Sequence, residues 1–165
     1  MSHYQTVYLG LGANLNDPIN QLNQAVAALK ALPDTDSSIQ VSAFYSSKPM
    51  GPQDQPDYVN AVACINTTLQ PLDLLALTQK IELDLGRVRK DERWGPRTLD
   101  IDILLFGEQT LNSLTLTVPH YGMTLREFVI YPLLEIAPNL TMPDGLAITD
   151  LQKTVPLNGL SKIKF

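Results

Sequence analysis

Fifteen consecutive residues constrain this chain more than any others: Arg93-Trp94-Gly95-Pro96-Arg97-Thr98-Leu99-Asp100-Ile101-Asp102-Ile103-Leu104-Leu105-Phe106-Gly107. The second half has the period of a strand with one buried face. Leu99, Ile101, Ile103 and Leu105 alternate onto one side, with Gly107 as the stop. Asp100 and Asp102 then share the opposite face, about 6.6 Å apart along the backbone at the rise of an extended chain. Leu104 and Phe106 continue that face, so the acidic pair lies at one end of an otherwise apolar strand. Two unpaired charges are costly in such a place and need arginine or a metal to compensate them. Hard divalent cations prefer oxygen ligands and can be bridged by two carboxylates so spaced.

The first half supplies cations. Arg87, Arg89, Lys90, Arg93 and Arg97 fall within eleven residues and make up five of the twelve Lys and Arg in the chain. Arginine for phosphate oxygens and carboxylates for a metal are what a metal-polyphosphate ligand requires. Six acidic residues between Glu82 and Asp102 make simple charge pairing feasible. From these residues alone, a salt-bridged surface pair is the commoner reading, and a metal site stands beside it.

At 165 residues the chain is long enough for one domain, expected to run from 1 to 165, with a sizeable core. A net charge of −5 argues against a nucleic-acid partner, which calls for a basic surface. The basic loop is therefore a local anion site on an acidic body. A single cysteine, Cys64, allows no internal disulfide and suits a reducing cytosol. It lies in an apolar strand-like run and reads as a core thiol. No stretch approaches the roughly 20 apolar residues of a membrane span. The N-terminus lacks a signal pattern. A cytoplasmic protein without a membrane partner is expected.

Taken in order, Thr6–Leu11 reads as a strand running into Gly10-Leu11-Gly12. Asp17-Pro18 opens a helix to about Leu32, with Ile19, Leu22, Val26 and Leu29 as its apolar stripe. A dinucleotide fingerprint is excluded: Gly10-x-Gly12-x-x-Leu15 lacks the third glycine, and no acidic residue closes a second strand. Ser38–Ser47 reads as a second strand, with Ile39, Val41, Ala43 and Tyr45 on one face. Lys48–Asp57 is a loop holding Gly51 and three prolines. The third strand starts with Tyr58 and Asn60 on one face, an aromatic and an amide that suit a flat heterocycle. Pro71–Leu85 is a second helix, stopped by Gly86. After the acidic strand come short edge strands within 109–118, then Pro119-His120-Tyr121. A partly helical segment over 124–136 is expected to be interrupted at Pro132, and a short helix covers 148–154. The tail after Pro156 reads as weakly ordered. The order β-α-β-β-α-β is the ferredoxin-like pattern, an α+β fold with a mainly antiparallel sheet, here with a C-terminal extension. That fold hosts many functions.

The run Arg93–Gly107 closely resembles the signature of the 6-hydroxymethyl-7,8-dihydropterin pyrophosphokinase family of folate biosynthesis. Gly51-Pro52-Gln53-Asp54-Gln55-Pro56-Asp57-Tyr58-Val59-Asn60, Gly12-x-Asn14 and Val118-Pro119-His120 resemble that family too. The resemblance implies transfer of pyrophosphate from ATP to the hydroxymethyl group of the dihydropterin, with AMP as the other product. It implies two Mg²⁺ ions on Asp100 and Asp102, and Arg87 and Arg97 as catalytic cations. ATP is implied to meet Gln79, Glu82, Arg87, Arg89, Trp94, Arg97, Ile103, Thr117, His120, Tyr121 and Arg126. The pterin is implied to meet Ser47, Met50, Gly51, Tyr58, Asn60, Trp94 and Phe128. A monomer with small-molecule partners only is expected, and both loops are expected to close over bound substrates. Ala13, Lys48 and Thr115 depart from residues common in the family.

Two other classes fit the same topology. A non-catalytic nucleotide-binding module accounts for the basic loop but leaves the acidic pair beside an aromatic set without a use. An RNA-binding domain requires a basic face and aromatic-rich central strands, against the acidic total.

Overall fold

A computed structural model describes residues 3–14, 17–48, 57–85 and 99–164. The first strand, β1 (Gln5–Ala13), puts Val7, Leu9, Leu11 and Ala13 on one face, all buried, and Tyr8, Gly10 and Gly12 on the other. Helix α1 (Pro18–Lys30) follows, and the Asp17 side chain accepts from the Asn20 N–H at its start. Two short strands, β2 (Gln40–Val41) and β3 (Tyr45–Ser47), lead to β4 (Tyr58–Thr67). Helix α2 spans Pro71–Leu85, as its leucine spacing predicts, and β5 (Asp100–Phe106) completes the ferredoxin-like core. The main sheet has the order β5-β1-β4-β3, with β2 also on β4, and every pairing is antiparallel.

The face bearing Val7, Leu9 and Leu11 packs with Leu22, Ala25 and Leu29 of α1 and Leu74 and Ile81 of α2. The C-terminal third covers part of the opposite face. A hairpin of β6 (Leu111–Asn112) and β7 (Thr117–Val118) is followed by a 3-10 turn over Met123–Leu125. Helices α3 (Glu127–Ile136) and α4 (Ile148–Thr154) come next. Met123, Val129, Ile130, Leu133 and Ile148 pack there with Val62, Leu104 and Leu105 of the sheet. Among the described residues no helix is long and apolar enough to cross a membrane.

Four expectations need correction. Alternation in β5 fails after Ile103. Tyr8 pairs with Leu105 and Leu9 with Ile103, so Leu104 is an extra, bulged residue. Beyond it the faces exchange: Leu105 joins Leu104 in the α3 layer, and Phe106 joins the α1–α2 layer. The strand expected over 38–47 is likewise broken. Val41 lies opposite Ala63 and Tyr45 opposite Asn60, one residue more on this side than on β4. Phe44, not Ala43, therefore enters the α1–α2 core.

Pro132 does not interrupt its helix. The break falls at Arg126, whose backbone is extended at φ −111° and ψ 119°, and α3 runs through Pro132 with the ring buried. A proline there forfeits the bond that residue 132 would give to the carbonyl four residues back. Burial of Val129, Ile130 and Leu133 on the same helix offsets that loss. Finally, the tail is structured. Asn158 (φ 52°) and Gly159 (φ 85°) form a tight turn closed by the Leu160 N–H on the Leu157 carbonyl. Strand β8 (Ser161–Lys162) then pairs with β3 and covers that sheet edge.

Candidate active site

The α3–α4 layer covers only part of its face of the sheet, and the uncovered part is the floor of a cleft enclosing about 780 Å³ of space open to solvent. The floor is made by the small residues of β1. Gly10 lies opposite Asp102 on one side and Val62 on the other; Gly12 lies between Asp100 and Asn60. With no side chains on these glycines, the two carboxylates and the Asn60 amide border open space instead of packed neighbours. Ser47, Lys48, Tyr58, Leu104, Arg126 and Phe128 make the walls.

Alternation before the bulge puts Asp100 and Asp102 in the cleft while Leu99, Ile101 and Ile103 are buried beneath. β5 is the edge strand, and its backbone is held from α2: Glu82, only 6% exposed, accepts the Ile101 N–H at 2.8 Å between the two aspartates. The Asp102 side chain remains 49% exposed and lies 3.9 Å from His120 Nε2. His120 is placed by its own N–H on the Leu104 carbonyl and by Nδ1, which accepts from the Gly122 N–H at 3.2 Å. That bond leaves Nε2 to carry the proton of the neutral ring, facing Asp102. Burial lowers the His120 pKa, and the Arg126 guanidinium lowers it further against the opposing pull of Asp102. Neutral imidazole is thus favoured. Tyr121 stacks on His120 at 4.9 Å between ring centroids.

Arg126 projects from the break before α3, with its guanidinium 5.9 Å from the Tyr121 ring centre and 5.7 Å from that of Phe128. It lies over Gly122, where a Cβ would come within 2.9 Å of it. Across the cleft Asn60 Nδ2 donates to Ser47 Oγ at 2.6 Å, both residues being buried. The Asn60 Oδ1 atom overlies Gly12: a Cβ there would stand 3.0 Å from it.

The structure therefore brings Asp100, Asp102, Ser47, Tyr58, Asn60, Arg126 and Phe128 to one cleft, with His120 on Asp102 at its side. Other expected contacts fall elsewhere. The Ile103 side chain is in the core under the sheet, so only its backbone is available to a ligand. Gln79 is on the exposed flank of α2 and Thr117 is exposed on β7. Met50, Gly51, Arg87, Arg89, Trp94 and Arg97 lie outside the described residues, as do the Gly86 stop and the closure expected of the two loops. Cys64 is buried opposite Tyr8, and burial raises its thiol pKa, which suits a core thiol.

Residues unnoticed in the sequence are Gly10 and Gly12 as the floor. Their signal was available: they interrupt, on one face only, a strand whose other face is uniformly apolar. Among the described residues no three His, Cys, Asp or Glu side chains converge as a metal cage. Two carboxylates at an open cleft fit Mg²⁺ of another kind, bound by one or two carboxylates with waters and substrate phosphates completing the shell.

Comparison with known proteins follows the same lines. The sequence model of the family described as 7,8-dihydro-6-hydroxymethylpterin-pyrophosphokinase (HPPK) matches residues 8–138. The 2-amino-4-hydroxy-6-hydroxymethyldihydropteridine pyrophosphokinase of Pseudomonas aeruginosa is 52% identical over 159 residues, covering 96% of this chain and 97% of the relative. That of Haemophilus influenzae is 55% identical over 148 residues, covering 90% and 91%. A solved chain of Plasmodium falciparum HPPK-DHPS with pteroate aligns with a TM-score of 0.73 at 14% identity, over 93% of this chain and 45% of that one. This chain thus spans less than half of that longer protein, and at such identity the likeness is one of fold.

Proposed function

The chain belongs to the 7,8-dihydro-6-hydroxymethylpterin-pyrophosphokinase family, and we propose that the cleft over Gly10 and Gly12 is where it moves a diphosphate from ATP to 6-hydroxymethyl-7,8-dihydropterin. The carrying observation is the juxtaposition in one cleft of two carboxylates on β5 with a buried amide–hydroxyl pair and an aromatic wall. The hydroxymethyl oxygen attacks the β-phosphorus of ATP. A bond forms between that oxygen and the β-phosphorus, the bond from the β-phosphorus to the α–β bridging oxygen breaks, and AMP leaves. The alcohol proton passes to solvent.

Positioning and charge neutralisation carry such a reaction. Asn60 and Ser47 hold the polar edge of the pterin; Tyr58 and Phe128 cover its ring faces. Asp100 and Asp102 would hold Mg²⁺, two ions in our reading, which would neutralise phosphate charge and acidify the acceptor hydroxyl. Arg126, on the cleft wall, supplies a cation for a phosphate. Arg87 and Arg97 add charge from the basic loop, and Arg89 and Trp94 complete the nucleotide side. His120 keeps a neutral N–H facing Asp102 at 3.9 Å, a donor for a phosphate bound there that adds no cation. Glu82 acts from below, holding the strand that bears the aspartates. A single domain over residues 1–165, a monomer at work in the cytoplasm, completes the proposal.

The test is AMP release from Mg-ATP. It should require the hydroxymethyl dihydropterin and be abolished by a chelator. Nucleotide binding with no pterin-dependent AMP would leave a ligand-binding module and contradict the proposal.

A further inference from the structure

α3 carries two side chains toward the sheet at its two ends. Phe128 lines the cleft at one end. Glu135 is seven residues on, two helical turns, hence on the same helix face about 10.5 Å away. Glu135 does not reach the cleft. Its Oε2 accepts the Ala43 N–H at 2.9 Å, its Oε1 accepts the Tyr45 hydroxyl at 2.5 Å, and Lys162 Nζ of β8 stands 3.9 Å away. Tyr45 opens β3, and Ala43 lies in the break between β2 and β3. There the extra residue takes Ala43 out of the ladder, and its N–H finds the Glu135 carboxylate instead. Tyr45 lies directly opposite Asn60 in the sheet and two residues before Ser47, on the same face.

We propose that Glu135 is a positioning residue for the acceptor pocket: by binding the Ala43 N–H and the Tyr45 hydroxyl it sets the distance between α3, which carries Phe128, and β3, which carries Ser47. The inference rests on the pterin reading of the cleft given above. One carboxylate joins the two walls of a slot that must match the thickness of a flat ring. Each bond is charge-assisted, so each is stronger than a neutral one. Lys162 balances the charge from the strand that seals the β3 edge, and its ammonium also stands 5.9 Å over the Tyr45 ring.

The test separates positioning from general stability. Glu135→Gln keeps the shape but leaves one acceptor oxygen where two are used. Tyr45→Phe, the milder change, removes one hydroxyl. Binding of 6-hydroxymethylpterin is titrated in the presence of a non-hydrolysable Mg-ATP analogue, and binding of the analogue is titrated alone. Each variant should weaken the pterin about tenfold, the scale of one lost charge-assisted bond, and leave the nucleotide within about twofold. The double variant should be little worse than either single one. Pterin affinity within about twofold of wild type in Tyr45→Phe, or equal weakening of both ligands, would overturn the positioning role. Wild-type protein that binds no pterin at all would overturn the reading of the cleft and this inference with it. Wild-type protein that binds pterin beside unaffected variants would overturn the inference alone.

Discussion

Asp100 and Asp102 are the residues whose removal is most informative. They are like charges on one strand face, so in the metal-free protein they repel each other. Asp100→Asn or Asp102→Asn relieves that repulsion while removing a carboxylate that the proposed function gives to Mg²⁺. Each variant should therefore match or exceed the wild type in thermal stability and lose about a hundredfold or more in Mg-dependent turnover. Near-normal turnover in both would dissociate them from the metal. Gly12 poses a different question at the same scale. Ala there brings a Cβ to 3.0 Å from Asn60 Oδ1, too close to be absorbed without moving the amide. Gly12→Ala should raise the pterin dissociation constant about tenfold, read by calorimetry, with the fold intact by circular dichroism. Unchanged affinity would mean that the Asn60 amide is not the edge partner. Both aspartates were legible in the sequence because each lies between buried apolar neighbours. The Asn60–Ser47 bond was not, since thirteen residues and a loop separate its partners.

At the scale of elements, periodicity placed β1, α1, α2 and α4 well and failed at two bulges. In β5 the cause is the composition Leu104-Leu105-Phe106: three apolar residues in succession carry no polar marker to say which face each takes. The shift sends Phe106, 1% exposed, into the α1–α2 core. Phe106→Ala should consequently cost about 3–5 kcal/mol in urea unfolding, as for a large core side chain. A loss below about 1 kcal/mol would place the ring outside that core. Between β2 and β3 the N–H freed by the shift is taken up by Glu135, more than ninety residues away, which no local pattern contains. Pro132 and the C-terminal strand teach opposite lessons. A proline in a helix reads as a break, yet burial of its neighbours holds the helix together. The Asn158-Gly159 pair was a turn signal in plain view, and its strand follows directly.

For the whole molecule, the arrangement among the described residues is a sheet with one face packed against α1 and α2 and the other covered in part. The α1–α2 side is a hydrophobic core. On the other side the α3–α4 layer stops over Val62 and Leu104, and where it stops the two glycines of β1 leave the floor bare. The ferredoxin-like order was readable from the alternation of strand and helix patterns. The position of the cleft was not, because it depends on how far a C-terminal layer extends over a sheet formed by the first two-thirds of the chain. The central claim is that this cleft transfers two phosphates together, with bond breakage between the α- and β-phosphates. The most direct measurement is the fate of label from ATP carrying ³²P at the β-position, incubated with the protein, Mg²⁺ and 6-hydroxymethyl-7,8-dihydropterin and resolved by chromatography. The label should appear in the pterin product, with unlabelled AMP formed in equal amount. Label retained in ADP would mean transfer of the terminal phosphate alone, and would contradict the account.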